Sequence, residues 1–343
     1  MCGAYAVPVR REQRPKAKDW EKKWNRRKHR RREYSFRMPK GPARKTTAPP
    51  DPRPNLPEAP VRFGQHVAVD AAGLTHTGLV RSSNEDHFLI SRIGRYFETV
   101  STSLPAEDLP ARADDATYSL IVADGMGGHA AGEVASRLAI REIIRLGLEL
   151  PDWINRIDDR TRDAAAARAQ GRIETLNAMV IAGGEANPDL RGMGSTMTLA
   201  RNLGRILQIS HVGDSRAYLL RTGQLHRLTR DHTYVQMLVD SGLMSEEEAA
   251  TSRSRHMLVN VVGGSTENVQ VDVERVPLAN GDRVLLCSDG LTDGVDDDAI
   301  RTVLAEASTA ADACQALTAR ALEAGGRDNI TVIVAIYTWH DAD

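Results

Sequence analysis

Four aspartates of this chain stand where a run of apolar residues breaks into glycine or a polar turn. They are Asp124 in LIVADGMGG, Asp214 in ISHVGDSR, Asp289 in VLLCSDGL and Asp328 in GGRDNITVIV. Such runs are typical of buried strands, so each carboxylate is expected at the rim of a sheet, on a rigid support. A fifth acidic group, Asn84-Glu85-Asp86, precedes the strand-like HFLI. Converging carboxylates, without cysteine or paired histidine ligands, favour Mg²⁺, Mn²⁺ or Ca²⁺ over zinc.

The charge of the chain is divided between a basic start and an acidic remainder. Residues 1–62 carry 19 Lys and Arg against 6 Asp and Glu, which leaves 26 against 40 in the rest. An acidic body suits cation binding and argues against a nucleic-acid-binding core. The three scattered cysteines do not suit a disulfide framework, and no apolar stretch reaches the roughly 18 residues of a membrane span. The sequence therefore predicts a cytoplasmic protein without a transmembrane segment.

Residues 1–60 are predicted to be a disordered tail, because they are first strongly basic and then rich in proline. Such a segment buries too little apolar surface to offset the entropy lost on ordering. Three interpretations of the tail stay open: a solvated arm, a stretch encoded upstream of the true start, or an arm that binds nucleic acid, anionic lipid or an acidic partner. Residues 61–343 are predicted to form a single domain.

Within that domain, short strand-like segments alternate with a few helical ones. Strands are predicted at 66–70, 87–92, 118–123, 196–201, 205–211, 216–221, 225–228, 269–277, 283–287 and 330–338, and helices at 132–149, 165–185, 233–250, 296–307 and 309–324. Turn residues such as Thr222-Gly223 indicate hairpins, and helices come in pairs between runs of strands. This grouping predicts an α+β fold and not a doubly wound parallel sheet. Residues 93–117 show no clear period and are predicted to be an inserted loop.

The residue types around the aspartates suit phosphoryl chemistry. Two divalent ions about 3.5–4 Å apart can share a water, lower its pKa and neutralise charge on a phosphoryl group. Gly125 leaves room around the carboxylate of Asp124, and its carbonyl can face a metal ion. Arg81 stands five residues before Asp86, and a guanidinium fork can hold two phosphate oxygens. We interpret Arg81 as a phosphate ligand and not as a surface turn residue.

Seven ordered motifs resemble those of the metal-dependent protein phosphatase family (PPM, the type 2C serine/threonine phosphatases), in its bacterial branch. They are RSSNED (81–86), VADGMGGHAAGEVAS (122–136), GSTM (194–197), HVGDSRAYLL (211–220), LTRDHT (228–233), LLCSDGLTD (285–293) and GRDNITV (326–332). The resemblance extends from about residue 66 to 338 and leaves the basic tail uncovered. It implies a central β-sandwich of two antiparallel sheets flanked by pairs of helices, with residues 234–262 as a mobile flap beside the cleft.

The resemblance also implies a set of metal ligands. Asp124 would bridge two Mn²⁺ or Mg²⁺ ions, Gly125 would add its carbonyl, and Asp289 and Asp328 would complete the pair of sites. Asp214, together with Asp289, would hold a third and weaker metal ion.

Three more residues receive roles from the resemblance. Glu85 and Asp86 would contact metal-bound water, and Arg81 would bind the phosphate. The implied reaction is hydrolysis of phosphoserine and phosphothreonine in proteins by a water that bridges the two ions. The implied partners are phosphorylated proteins and a Ser/Thr kinase that the enzyme, as a monomer, opposes.

One departure from the animal members concerns the acid for the leaving group, because Met126 stands where they carry histidine. His129 lies nearby, and we interpret it as a turn residue. Asp231, in the LTRDHT motif, is predicted to cap a turn and a helix. Three alternatives remain: a regulator phosphatase specific for one anti-sigma antagonist, a pseudoenzyme that only docks phosphoproteins, and a nucleic-acid binder that acts through its tail.

Overall fold

The computed structural model describes residues 67–98, 100, 101, 103, 112–127, 131–149, 162–264 and 268–339. The predicted tail and His129 lie outside the described residues, as does the predicted start of the domain at residue 61. None of the described helices is both long and apolar enough to cross a bilayer.

Twelve strands of the described residues form two antiparallel sheets. They are β1 Val67–His76, β2 Asp86–Glu98, β3 Arg112–Met126, β4 Gly194–Ser195, β5 Met197–Leu203, β6 Ile206–Val212, β7 Arg216–Arg221, β8 Gln224–Arg227, β9 Val262–Gly263, β10 Asp272–Pro277, β11 Arg283–Cys287 and β12 Ile330–Trp339. One sheet has the order β1-β12-β11-β7-β8; the other runs β10-β6-β5-β3-β4-β9, with β2 paired to β3. The α+β prediction is confirmed.

Seven α-helices of the described residues flank or follow the sheets. They are α1 Ala131–Glu149, α2 Arg162–Ala186, α3 Tyr234–Asp240, α4 Glu246–Thr251, α5 Asp289–Thr292, α6 Asp297–Glu306 and α7 Ala310–Glu323. Apolar side chains of α1 and α2 pack on the seven-stranded sheet, and those of α5, α6 and α7 pack on the five-stranded sheet. The order of layers is therefore helices, sheet, sheet, helices.

The central strands β11 and β12 are buried on both faces, because alternate residues enter two different cores. Leu286 and Ile333 are paired in the register and pack between the two sheets. Leu285 and Val334 are the next pair, and they pack under the helices. Burial on both faces explains why these strands read as unbroken apolar runs in the sequence.

Two predicted segments differ from the structure. The predicted helix 233–250 is two short helices, because Gly242 takes φ +67 after α3 and Ser245 starts α4 with a capping box. The predicted loop 93–117 is strand at both ends, since β2 and β3 pair in register from Asp86↔Asp124 out to Glu98↔Arg112. Backbone pairing between β2 and β3 stabilises these ends as strands, so they form although their side chains do not alternate between apolar and polar. The hairpin at Thr222 is confirmed, and both Thr222 and Gly223 have positive φ.

Candidate metal centre

The strand register brings four of the predicted aspartates to one end of the sandwich. Asp86 and Asp124 are direct cross-strand partners in β2 and β3, so their side chains emerge on the same face of the seven-stranded sheet. In the five-stranded sheet Cys287 pairs with Arg216. Asp289 and Asp214 each lie two residues beyond that pair, and one carboxylate oxygen of each lies within 4.8 Å of the other.

Asp328 reaches the same region from the residues just before β12. Its carboxylate accepts a hydrogen bond of 2.6 Å from Nη2 of Arg81, across 247 positions of sequence. Asn329, the next residue, fixes the Arg81 loop: its side chain accepts from the amide of Glu85 at 2.8 Å and donates to the carbonyl of Ser83 at 2.9 Å. The predicted phosphate ligand and a predicted metal ligand are therefore adjacent.

A serine joins the two halves of this site. The hydroxyl of Ser288 donates to Oδ2 of Asp86 at 2.7 Å and accepts from the amide of Thr331 at 3.0 Å. On the other side, Oγ1 of Thr196 accepts from the amide of Asp124 at 2.9 Å. These contacts fix carboxylates from both sheets relative to one another.

Burial and mutual repulsion raise the pKa values of several of these acidic groups. Burial, followed by the charges of Asp289 and Asp328, raises the pKa of Asp86 to about 7. Burial and the neighbouring carboxylates, Asp86 first among them, hold the pKa of Asp124 well above its usual range. The pKa of Asp214 is likewise raised, by burial first and then by the charge of Asp289. Like charges so close together in a buried site call for a cation.

The site also has the space and the free lone pairs that a cation needs. Asp86 is 4% exposed, and its Oδ1 is buried without a hydrogen-bond partner among the described residues. A Cβ added to Gly125 would lie 2.0 Å from the carbonyl oxygen of Gly132, so only glycine fits there. An added Cβ on Gly132 would lie 2.6 Å from Oε2 of Glu85, which places the Glu85 carboxylate beside these two glycines. The residues present therefore fit a divalent ion with oxygen ligands.

The raised pKa of Asp86 gives a testable dependence of stability on pH. The folded, metal-free protein holds a proton on Asp86 up to about pH 7, whereas the unfolded chain loses it near pH 4. Ionisation of Asp86 therefore lowers the free energy of unfolding progressively as pH rises between these values. In Asp86→Asn that cost is absent, so the melting temperature of the metal-free variant should rise relative to wild type from pH 5 to pH 8. Melting curves of both proteins measure this, and effects of titrating groups remote from the carboxylates cancel in the difference. A difference that stays constant with pH would contradict it.

A second group of possible ligands adjoins the first. One ligand atom each of Asp214, His256 and Asp289 lies within 4.8 Å of the others. Nδ1 of His256 is 3.2 Å from Asp289, and its Nε2 is 3.3 Å from Asp293. The hydrogen bond to Asp289 raises the pKa of His256. His256 was not among the sequence-predicted site residues, and its position inside the predicted flap was the only signal in the sequence.

The contacts of other positioning residues were not predicted from the sequence, and one prediction was wrong. Ser288, Thr196 and Asn329 stand within the motifs quoted above, but their contacts join distant segments, which no local pattern reveals. Asp231 does not cap a helix, because Thr233 is the N-cap of α3. Its carboxylate instead pairs with the guanidinium groups of Arg216, at 2.8 Å, and Arg227.

Comparisons with known proteins agree with this geometry. The family model of protein phosphatase 2C matches residues 98–324. The serine/threonine phosphatase stp of Listeria innocua is 33% identical over 260 residues, which are 76% of this chain and 92% of that protein. The serine/threonine protein phosphatase PstP of Mycobacterium tuberculosis is 39% identical over 229 residues, which are 66% of this chain. That match spans 42% of the length of PstP, so this chain corresponds to less than half of that relative.

A solved structure shares both the fold and much of the sequence. The crystal structure of the catalytic domain of PstP in complex with two manganese ions is 35% identical, with a TM-score of 0.62. The alignment covers 80% of this chain and all of that one. With two antiparallel sheets, a rim of buried carboxylates and these matches, the chain belongs to the protein phosphatase 2C family.

Proposed function

We propose that this protein is a Mn²⁺- or Mg²⁺-dependent phosphatase that hydrolyses phosphoserine and phosphothreonine in proteins. The observation that carries the proposal is the meeting of Asp86, Asp124, Asp289 and Asp328 at one end of the sandwich, where each influences the pKa of another. Membership of the family and the two manganese ions in the PstP structure support the same activity.

The carboxylates would have different roles in binding the cations. Asp124, central among the coupled acids, would bridge two ions with help from the Gly125 carbonyl, and Asp289 and Asp328 would complete their ligands. Glu85 and Asp86 would contact waters around the ions. Bound cations supply a water of lowered pKa and neutralise charge on the phosphoryl group.

A third and weaker cation would lie between Asp214 and Asp289. Asp214 is 7% exposed, and burial together with the charge of Asp289 raises its pKa, which a cation between the two carboxylates would offset. His256 lies close enough to add an imidazole nitrogen to this site. An imidazole ligand suits Mn²⁺ better than Mg²⁺, which prefers oxygen ligands.

Arg81 would bind the phosphate of the substrate. Its side chain is 55% exposed and already lies beside the carboxylates, held by Asp328. A phosphate dianion offers the guanidinium group two oxygens in a planar arrangement, and cations on Asp328 would release the arginine to make that contact. Arg81 would thereby orient the phosphorus toward the attacking water and bear part of the charge.

Replacing Arg81 should weaken substrate binding. Arg81→Ala is expected to lower kcat/KM about 10- to 100-fold, chiefly through KM, because charge-assisted hydrogen bonds contribute roughly 1.5–3 kcal/mol. Arg81→Lys should recover only part of the loss, since an ammonium group cannot form the fork. Steady-state kinetics on a phosphothreonine peptide measures both variants. Arg301→Ala is the matched control, because within the described residues that arginine pairs with Asp298 and with none of the predicted metal ligands. Unchanged kinetics of Arg81→Ala would refute the role of Arg81.

The activity itself is tested by phosphate release from matched peptides. In the presence of Mn²⁺, peptides with phosphoserine or phosphothreonine should be hydrolysed, and the same peptide with phosphotyrosine should be a poor substrate. Broad hydrolysis of unrelated phosphopeptides would argue against a regulator with a single anti-sigma antagonist as substrate. If no peptide releases phosphate while the protein still binds Mn²⁺, the proposal fails and the pseudoenzyme alternative replaces it.

We further propose that residues 61–343 form one catalytic domain, that the protein is a cytoplasmic monomer, and that it opposes a Ser/Thr kinase. Residues 1–60 would bind an acidic partner or remain solvated, in either case without a part in catalysis. Deleting residues 1–60 should therefore leave kcat/KM for an aryl phosphate within about twofold, because the carboxylates and Arg81 all lie in the remaining chain. A large loss of activity in a truncated protein that still melts cooperatively would contradict this division.

A further inference from the structure

His232 lies where the predicted flap, residues 234–262, joins the turn that carries Asp214. Its backbone amide donates to the carbonyl of Gly213 at 2.7 Å, and its carbonyl accepts from the amide of Val259 at 2.9 Å. The residue therefore contacts the metal-site turn directly, and the far end of the flap as well.

The imidazole ring of His232 contacts the same two segments, the Asp214 turn and the far end of the flap. The amide of Gly213 donates to Nδ1 at 3.1 Å, and Nδ2 of Asn260 lies 2.8 Å from the same nitrogen. Since a backbone amide can only donate, Nδ1 must be an acceptor, and the proton of the neutral ring is on Nε2. Nε2 is 3.2 Å from a carboxylate oxygen of Asp272, which is 61% exposed.

The orientation of Asn260 is fixed independently of the histidine. Its Nδ2 donates to the carbonyl of Gln270 at 2.7 Å, and its Oδ1 accepts from the amide of Gln270 at 3.1 Å. The amide group therefore presents its N–H side to His232. If Nδ1 carried the proton, the side-chain amide of Asn260 would have to rotate so that its oxygen could accept from Nδ1. That rotation would break both contacts with Gln270.

The turn that His232 contacts is also held to Asp124, the proposed bridging ligand. Gly213 takes φ +108, and an added Cβ would lie 2.6 Å from Cβ of Thr196. Thr196 contacts the hydroxyl of Ser215 at 2.8 Å and accepts from the amide of Asp124 at 2.9 Å. Asp214, between Gly213 and Ser215, is thus held from the Asp124 side by Thr196 and from the flap side by His232.

We propose that His232 is a positioning residue that fastens both ends of the flap to the Asp214 turn, through the acceptor lone pair on Nδ1. The inference rests on the proposed function, because it assigns Asp214 to a cation site. Its consequence is that the affinity of the weaker cation site and the order of the flap depend on one hydrogen-bond acceptor. His232 does not touch the reacting atoms.

Two amide variants separate the two sides of the ring. In His232→Asn the side-chain oxygen can take the place of Nδ1 and accept from Gly213, whereas the contact with Asp272 is lost. In His232→Gln the longer amide reaches the place of Nε2 and can keep the contact with Asp272, but no acceptor faces Gly213. Asp272→Asn is the matched control, because a contact with so exposed a carboxylate should change affinity by no more than about twofold.

Calorimetric titration of the metal-free proteins with Mn²⁺ tests the inference. His232→Gln should weaken the lower-affinity site about tenfold or more, the usual cost of losing a group that orients a ligand, and His232→Asn should recover most of that loss. Hydrogen exchange of the metal-free proteins adds a readout without metal: amides of residues 233–260 should exchange faster in His232→Gln than in His232→Asn.

The outcomes are distinct. A His232→Gln protein with normal Mn²⁺ affinity and normal flap exchange would overturn the inference, as would equal damage in the two amide variants. Wild-type protein without Mn²⁺-dependent hydrolysis of an aryl phosphate would instead overturn the proposed function. Active wild type together with an unaffected His232→Gln protein would remove only the role of His232.

Discussion

Asp124→Asn is expected to lower kcat for an aryl phosphate by at least about 10³-fold, because one carboxylate would serve both cations that activate the water and neutralise the phosphoryl group. An amide carries no charge, and it cannot bridge two ions as a carboxylate can. Asp289→Asn should also abolish hydrolysis, since Asp289 lies between the two groups of possible ligands. Steady-state kinetics with saturating Mn²⁺ measures both variants.

The fold should survive these changes. Burial already raises the pKa of Asp124, so a neutral amide removes an unfavourable charge and should leave the metal-free melting temperature equal or higher. Asp298→Asn is the matched control, because its side chain is 90% exposed and its ion pair within the described part of the chain is with Arg301. Near-normal turnover of Asp124→Asn or of Asp289→Asn would refute the assignment of these carboxylates.

Chelation of divalent ions should reduce wild-type activity to the background rate, and added Mn²⁺ should restore it. The carboxylates at the site repel a phosphate dianion, so the reaction needs bound cations to neutralise that charge and to lower the pKa of the attacking water. Chelation should also lower the melting temperature, because bound cations stabilise only the folded state and offset repulsion among Asp86, Asp124 and Asp289.

The chelation experiment includes a comparison of Zn²⁺ with Mn²⁺. Zn²⁺ should restore less activity than Mn²⁺ at equal free concentration, since the ligands around Asp124 are oxygen atoms. Activity that persists after exhaustive chelation, with Mn²⁺ absent by elemental measurement, would contradict a cation-dependent reaction.

The sequence carried enough information to predict the fold class and the neighbourhood of the site. Apolar runs that end on aspartate, as at Asp124 and Asp289, reflect strands buried on two faces that deliver a carboxylate to the rim. The hairpin at Thr222-Gly223 was predictable for a local reason, since Gly223 adopts the positive φ of a two-residue turn without strain.

The remaining features depend on contacts between distant segments. That Asp86 lies opposite Asp124 follows from strand register, and the pairing of Arg81 with Asp328 joins residues 247 positions apart. The approach of His256 to Asp289 depends on the path of an irregular segment after α4, which no periodicity describes. Local patterns therefore indicated candidate site residues but not how Ser288, Thr196 and His232 contact them.

The most direct test of the central claim is a crystal structure of the protein grown with Mn²⁺, with anomalous difference maps recorded at the manganese edge. The proposal predicts two strong peaks about 3.5–4 Å apart, with the carboxylate of Asp124 between them and Asp289 and Asp328 as further ligands. Absence of any peak within coordination distance of Asp124, in crystals of protein that hydrolyses phosphopeptides, would contradict the claim.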